Sequence, residues 1–174
     1  GIRRDTFLAM TRLYRGILEE IIVNKNPAGA VMLVSDLLEA LGEGTVDVKD
    51  LTFTMQMGRT YKNPNTVGPK VRESALRKGE EIPAGRRVAY WIGKPKKPKL
   101  KVSEKVEYYN GETNEEAEID FYHYIDYLRK PILELLGYFE DLIDIESAQS
   151  MFAVTAACRK AKQLGNRSIT DFFK

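Results

Sequence analysis

The spacing of apolar residues changes period along the chain, and that change decides the fold class. Over residues 3–24, Phe7, Met10, Leu13, Tyr14, Ile17, Leu18 and Ile21 recur at helical spacing, with Asp5 or Thr6 as the cap. Asn26-Pro27 ends this run, because proline cannot continue the hydrogen-bond ladder. A second helix is predicted over 28–41, stopped by Gly42 and Gly44. The period then drops to two: residues 51–57 alternate apolar with polar and read as a strand with one wet face. Pro69 opens a short helix closed by Gly79, and residues 87–92 read as a second strand. Asn110-Gly111 marks a tight turn. Helical spacing returns over 120–139, the most aromatic stretch, where Pro131 is expected to kink or divide the helix. A last helix is predicted over 147–163. The expected class is α+β, mainly helical with a small antiparallel β insertion.

At 174 residues and 43% hydrophobic content, the chain is long and apolar enough for one domain, or one domain with an appendage. No stretch approaches the roughly 18 consecutive apolar residues of a membrane helix, and no secretory signal is visible. No membrane partner is therefore expected. Cys158 is the one cysteine and His123 the one histidine, which excludes disulfide frameworks, cysteine-rich zinc sites and histidine-based triads with a spare ligand. Such usage points to a reducing compartment, cytoplasmic or nuclear. His123, set among aromatics, reads as structural, and Cys158 on an apolar face as inert. No cluster of metal ligands and no nucleophile–base pair stands out, so neither a catalytic residue nor a metal site is assigned.

Charge is sharply divided. Residues 58–105 hold 14 Lys/Arg against 4 Asp/Glu, a local balance of +10, and residues 106–152 hold 2 against 12, a balance of −10. Two readings are open. The blocks attract each other and neutralise a soluble domain, or the basic block meets a polyphosphate while the acidic block faces away. The second makes the basic block a nucleic-acid footprint.

The residues of that block form an ordered series. Leu51 to Gln56 is followed by Tyr61-Lys62, then Gly68-Pro69-Lys70-Val71, then Arg77-Lys78-Gly79, then Pro83, Gly85, Val88, Tyr90 and Ile92. This order resembles the thumb of family B DNA polymerases. Gly1 to Asp5 is similar to the segment that closes the palm of that family, Ser103 to Val106 to its short serine-led segment, and Asp120, Tyr124, Ile125 and Pro131 to its long thumb helix. The resemblance runs from the first residues to about Tyr138. Met55 and Lys70 depart from it, standing where lysine and histidine are common, and Arg129-Lys130 replaces a glutamine.

The resemblance implies residues 1–5 as the end of a palm, 6–164 as the thumb and 165–174 as a tail. It also implies a part of a DNA-directed DNA polymerase that grips primer–template duplex. The palm carboxylates and their Mg²⁺ would lie on a partner chain carrying palm and exonuclease domains, so this chain alone should be inactive and needs no cofactor. Thumb contacts are sequence-tolerant. Charge is assigned to Arg59, Lys62, Lys70, Arg72, Arg77, Lys78, Arg86 and Arg87, and hydrogen bonds to Thr54, Gln56, Tyr61 and Tyr90. Residues 94–101 read as a loose, proline-stiffened electrostatic arm.

The tail has its own pattern. Asn166, Ile169, Phe172 and Phe173 match the spacing of the peptide by which replication proteins grip a sliding clamp (PCNA), with Asn166 in place of glutamine. The alternative function is a non-enzymatic DNA-binding adaptor that recruits such a clamp.

Overall fold

A computed structural model describes residues 6–165, with side chains through Thr155. Among these residues the order is α1 (Leu8–Leu18), a π-helical turn (Glu19–Val23), α2 (Pro27–Glu43), a 3₁₀ turn (Val48–Leu51), β1 (Phe53–Gln56), α3 (Val67–Arg77), β2 (Arg87–Ile92), a second 3₁₀ turn (Val102–Lys105), β3 (Val106–Tyr108), α4 (Phe121–Gly137) and α5 (Ile145–Gly165). The chain is thus α+β, with one three-stranded antiparallel sheet in the order β1-β2-β3. The assignments made above to residues 1–5, to the Cys158 side chain and to the tail residues Asn166, Ile169, Phe172 and Phe173 lie outside the described residues. Contacts gather the chain into two compact units.

The first unit comprises the residues up to Tyr14 and Val46–His123. Its sheet buries one face: Phe53 lies opposite Tyr90, Met55 opposite Val88, and Ile92 opposite Val106. Phe7 meets Phe53 edge-on with centroids 5.6 Å apart, and Phe53 stacks on Tyr90 at 5.5 Å. α3 packs on the other face through Ser74, which is fully buried. Its hydroxyl donates to Glu107 Oε2 at 2.9 Å and accepts from the Tyr108 N–H at 2.8 Å. Burial, with Glu80 beside it, raises the pKa of the Tyr108 phenol. Asn114 clamps the entry to the 3₁₀ turn, accepting from Val48 N and donating to Val46 O, both at 2.7 Å.

The second unit comprises Arg15–Thr45 and the residues from Tyr124 onward. Asn26 caps α2 by accepting from Gly29 N at 3.1 Å, Pro27 takes the first turn, and Gly44 closes the helix with φ +73°, a conformation that suits glycine. Pro131 does not divide α4, which runs unbroken through it. A proline forgoes one rung of the ladder. Tyr124, Leu128, Ile132, Leu135 and Leu136, all buried, line both sides of it, and their burial offsets that loss.

α5 begins two residues before the predicted start because Asp144 caps it. Its carboxylate accepts from Ser147 Oγ at 2.8 Å and from the N–H of Glu146 at 3.1 Å and of Ser147 at 3.4 Å. The Ser147 hydroxyl, then the backbone donors, hold its pKa below the ordinary aspartate value. A lowered folded pKa gives stability that is present above the unfolded value, about pH 4, and lost as pH falls through the folded one. Helical circular dichroism should therefore decline in that acid range. Asp144→Asn, which still caps but does not titrate, should flatten that part of the decline.

Candidate nucleic-acid interface

Strand alternation sets the chemistry of the second sheet face. Thr54, Gln56, Arg87 and Ala89 share it with Trp91 and Glu107. α3 covers the β3 side, where Ser74 meets Glu107, and leaves Thr54, Gln56 and Arg87 exposed on the β1 side. These three form a short polar strip: Arg87 donates to Thr54 Oγ1 at 3.0 Å, and Gln56 Nε2 donates to Gly85 O at 3.2 Å. Arg86 is exposed at the same end and pairs with Glu80 at 3.1 Å. Exposed pairs like this are worth little and exchange readily for another anion.

The loop after β1 carries Arg59 and Lys62, both exposed and without an ion pair among the described residues. Between them Tyr61 turns inward. Its hydroxyl accepts from Gly58 N at 2.7 Å, and Arg72 lies over its ring at 5.8 Å while donating to Gly58 O at 2.7 Å. Gly68 leaves the room this needs, because a Cβ there would stand 2.4 Å from the Tyr61 ring. Tyr61 and Arg72 thus brace the loop that presents Arg59 and Lys62.

Lys70 and Arg77 lie on the outer side of α3, seven residues apart and so on one face of the helix. Lys70 is 3.5 Å from Glu73, while Arg77 is exposed and makes no ion pair among the described residues. Lys78, one residue further, points the other way. It pairs with Glu112, lies 3.8 Å from Glu107, donates to Tyr108 O at 2.6 Å and sits over Trp91 at 5.5 Å. Tyr90 belongs to the buried face, stacked on Phe53.

The twelve sequence-assigned residues therefore divide. Thr54, Gln56, Arg59, Lys62, Lys70, Arg77, Arg86 and Arg87 offer groups at the surface. Tyr61, Arg72, Lys78 and Tyr90 are engaged inside the unit. The mutual attraction of the two charge blocks is realised at two places, Lys78 and the Lys105–Asp120 pair at 3.1 Å. Sequence reasoning missed the placement of residues 94–101: Lys96, Lys97 and Leu100 lie along α3 and border a groove with Lys70, Arg77 and Ser103. The one signal was Leu100, an apolar residue inside a lysine run. Among the described residues no three His, Cys, Asp or Glu side chains come together as a metal seat, and no helix is long and apolar enough to cross a membrane.

The family model for DNA polymerase family B matches residues 1–138. A DNA polymerase of Pyramimonas orientalis virus is 28% identical over 141 residues, covering 78% of this chain and 12% of the viral protein. The chain thus spans a small part of that relative's length. Among solved structures, the family B DNA polymerase of the hyperthermophilic archaeon Pyrobaculum calidifontis is similar with a TM-score of 0.56 and 19% identity, over 75% of this chain and 17% of that one. At that identity the likeness speaks to the fold.

Proposed function

This chain belongs to DNA polymerase family B, and on that premise we propose that it is a thumb, the part of a DNA-directed DNA polymerase that holds primer–template duplex during replication. What supports the reading is the polar strip of β1 and β2, followed in the chain by cations left without an ion pair among the described residues, Arg59 and Lys62. A polymerase must hold new duplex whatever its sequence. Phosphates and the minor-groove acceptors present at every base pair allow that, the first met by Lys and Arg, the second by short donors such as Thr54 and Gln56.

Such polymerases transfer nucleotides with two metal ions held by carboxylates. In this reading no step of that chemistry falls to this chain. The Mg²⁺ and its acids belong to a palm on a partner chain or in a longer whole, acting inside the cell at the replication fork. The tail residues Asn166, Ile169, Phe172 and Phe173 would tether the assembly to a sliding clamp.

Equilibrium binding of primer–template duplexes of unrelated sequence tests the grip. Affinities should agree within a few-fold across sequences. Lys62→Ala should weaken all of them alike, as a phosphate contact does. Marked preference for one sequence, or no duplex binding, would overturn the reading.

A further inference from the structure

The connection between β2 and β3 borders a groove beside α3. Leu100 is half-buried, and Pro95 and Pro98 restrict the segment around Lys96 and Lys97. Between this segment and α3 runs a groove of about 300 Å³, bordered by Lys70, Arg77, Lys96, Lys97, Leu100 and Ser103. Two carboxylates, Glu73 and Glu104, also reach it. Glu73 lies 3.5 Å from Lys70, and Glu104 accepts from the neutral Lys101 N–H at 3.0 Å and keeps its charge, so the lining holds four cations against two carboxylates. Arg77, Lys96 and Lys97 have no acidic partner among the described residues.

Like charges converging on one space repel unless an anion enters. The Ser103 hydroxyl adds a donor that suits a phosphate oxygen. No aromatic side chain borders the groove, so it offers nothing on which bases would stack. Walls on two sides and a volume of about 300 Å³ admit one sugar-phosphate strand and not both rails of a duplex.

We propose that the groove between α3 and residues 94–101 binds the phosphates of one nucleic-acid strand, as an anchor additional to the strip on β1 and β2. The proposal rests on the duplex-binding reading above. Lys96 and Lys97 are exposed, so their replacement leaves the fold intact, and Trp91, the one tryptophan, reports that by fluorescence.

The full chain is titrated with a fluorescent single-stranded oligonucleotide and with a duplex across a salt series, and inorganic tripolyphosphate serves as competitor. Lys96→Ala with Lys97→Ala should weaken both complexes by roughly tenfold or more near 0.1 M salt. It should also make the log–log salt slope shallower by about 1.4 on the single strand and about 1.8 on the duplex. The charge-keeping pair, Lys96→Arg with Lys97→Arg, should restore both. Unchanged slopes in a chain that still binds duplex would overturn this proposal and leave the grip standing. A wild-type chain that binds no duplex would overturn both. Tripolyphosphate that competes at concentrations as low as the oligonucleotide would assign the groove to a free polyphosphate and overturn the strand proposal.

Discussion

Lys78→Ala will destabilise the first unit by about 3 kcal/mol and leave the salt dependence of duplex binding untouched. Its side chain is only 19% exposed, and those of its partners Glu107 and Glu112 are 24% and 12% exposed. Removing the cation strands two half-sequestered carboxylates, opens the face of Trp91 and leaves the Tyr108 carbonyl without this donor. Losing one member of a sequestered ion pair costs more than the pair contributes, because the other charge stays out of water unpaired. The urea midpoint of Trp91 fluorescence reads the loss directly. By position in the sequence Lys78 is one more phosphate ligand. An unchanged midpoint with a slope shallower by about 0.9 would return it to that role.

The second large effect belongs to the tail. Phe172→Ala with Phe173→Ala should abolish stimulation of synthesis by a sliding clamp and leave clamp-free duplex binding as it is. Buried aromatic anchors at an interface are each worth about 2 kcal/mol or more, so losing two lowers clamp affinity on the order of a thousandfold. A clamp response equal to that of the wild type would remove the tail from the account.

The fold was largely legible, for reasons that differ by element. α2 announces itself through Asn26-Pro27 and Gly44, local signals that the backbone obeys. β2 has six residues, and its bounds match the predicted 87–92. β3 has only three residues, Val106–Tyr108. A strand that short carries no period, and it exists because β2 and α3 flank it. Pro131 is a strong local breaker, but a buried stripe on both sides outweighs one missing hydrogen bond, and it does not divide α4.

The site was legible by composition more than by residue. The surplus of positive charge over residues 58–105 marks the block that carries the proposed face, but charge counting does not tell which way a side chain points. Arg77 and Lys78 are neighbours, yet Arg77 is exposed at the last residue of α3, while Lys78, just past its end, reaches Glu112 and the Tyr108 carbonyl. Tyr61 and Arg72 brace each other through a contact that Gly68 makes possible, and nothing in their spacing reveals that. That the lysines at 96 and 97 border a groove with α3 could not be read from the sequence, because α3 is remote in it.

The measurement that tests the central claim most directly is the affinity of this chain for a primer–template duplex across a salt series. About six phosphate contacts give a log–log slope near −5. Replacing Arg59, Lys62, Arg86 and Arg87 together with alanine should bring it to about −2. A slope near zero in the wild-type chain, or one unmoved by those four replacements, would contradict the account.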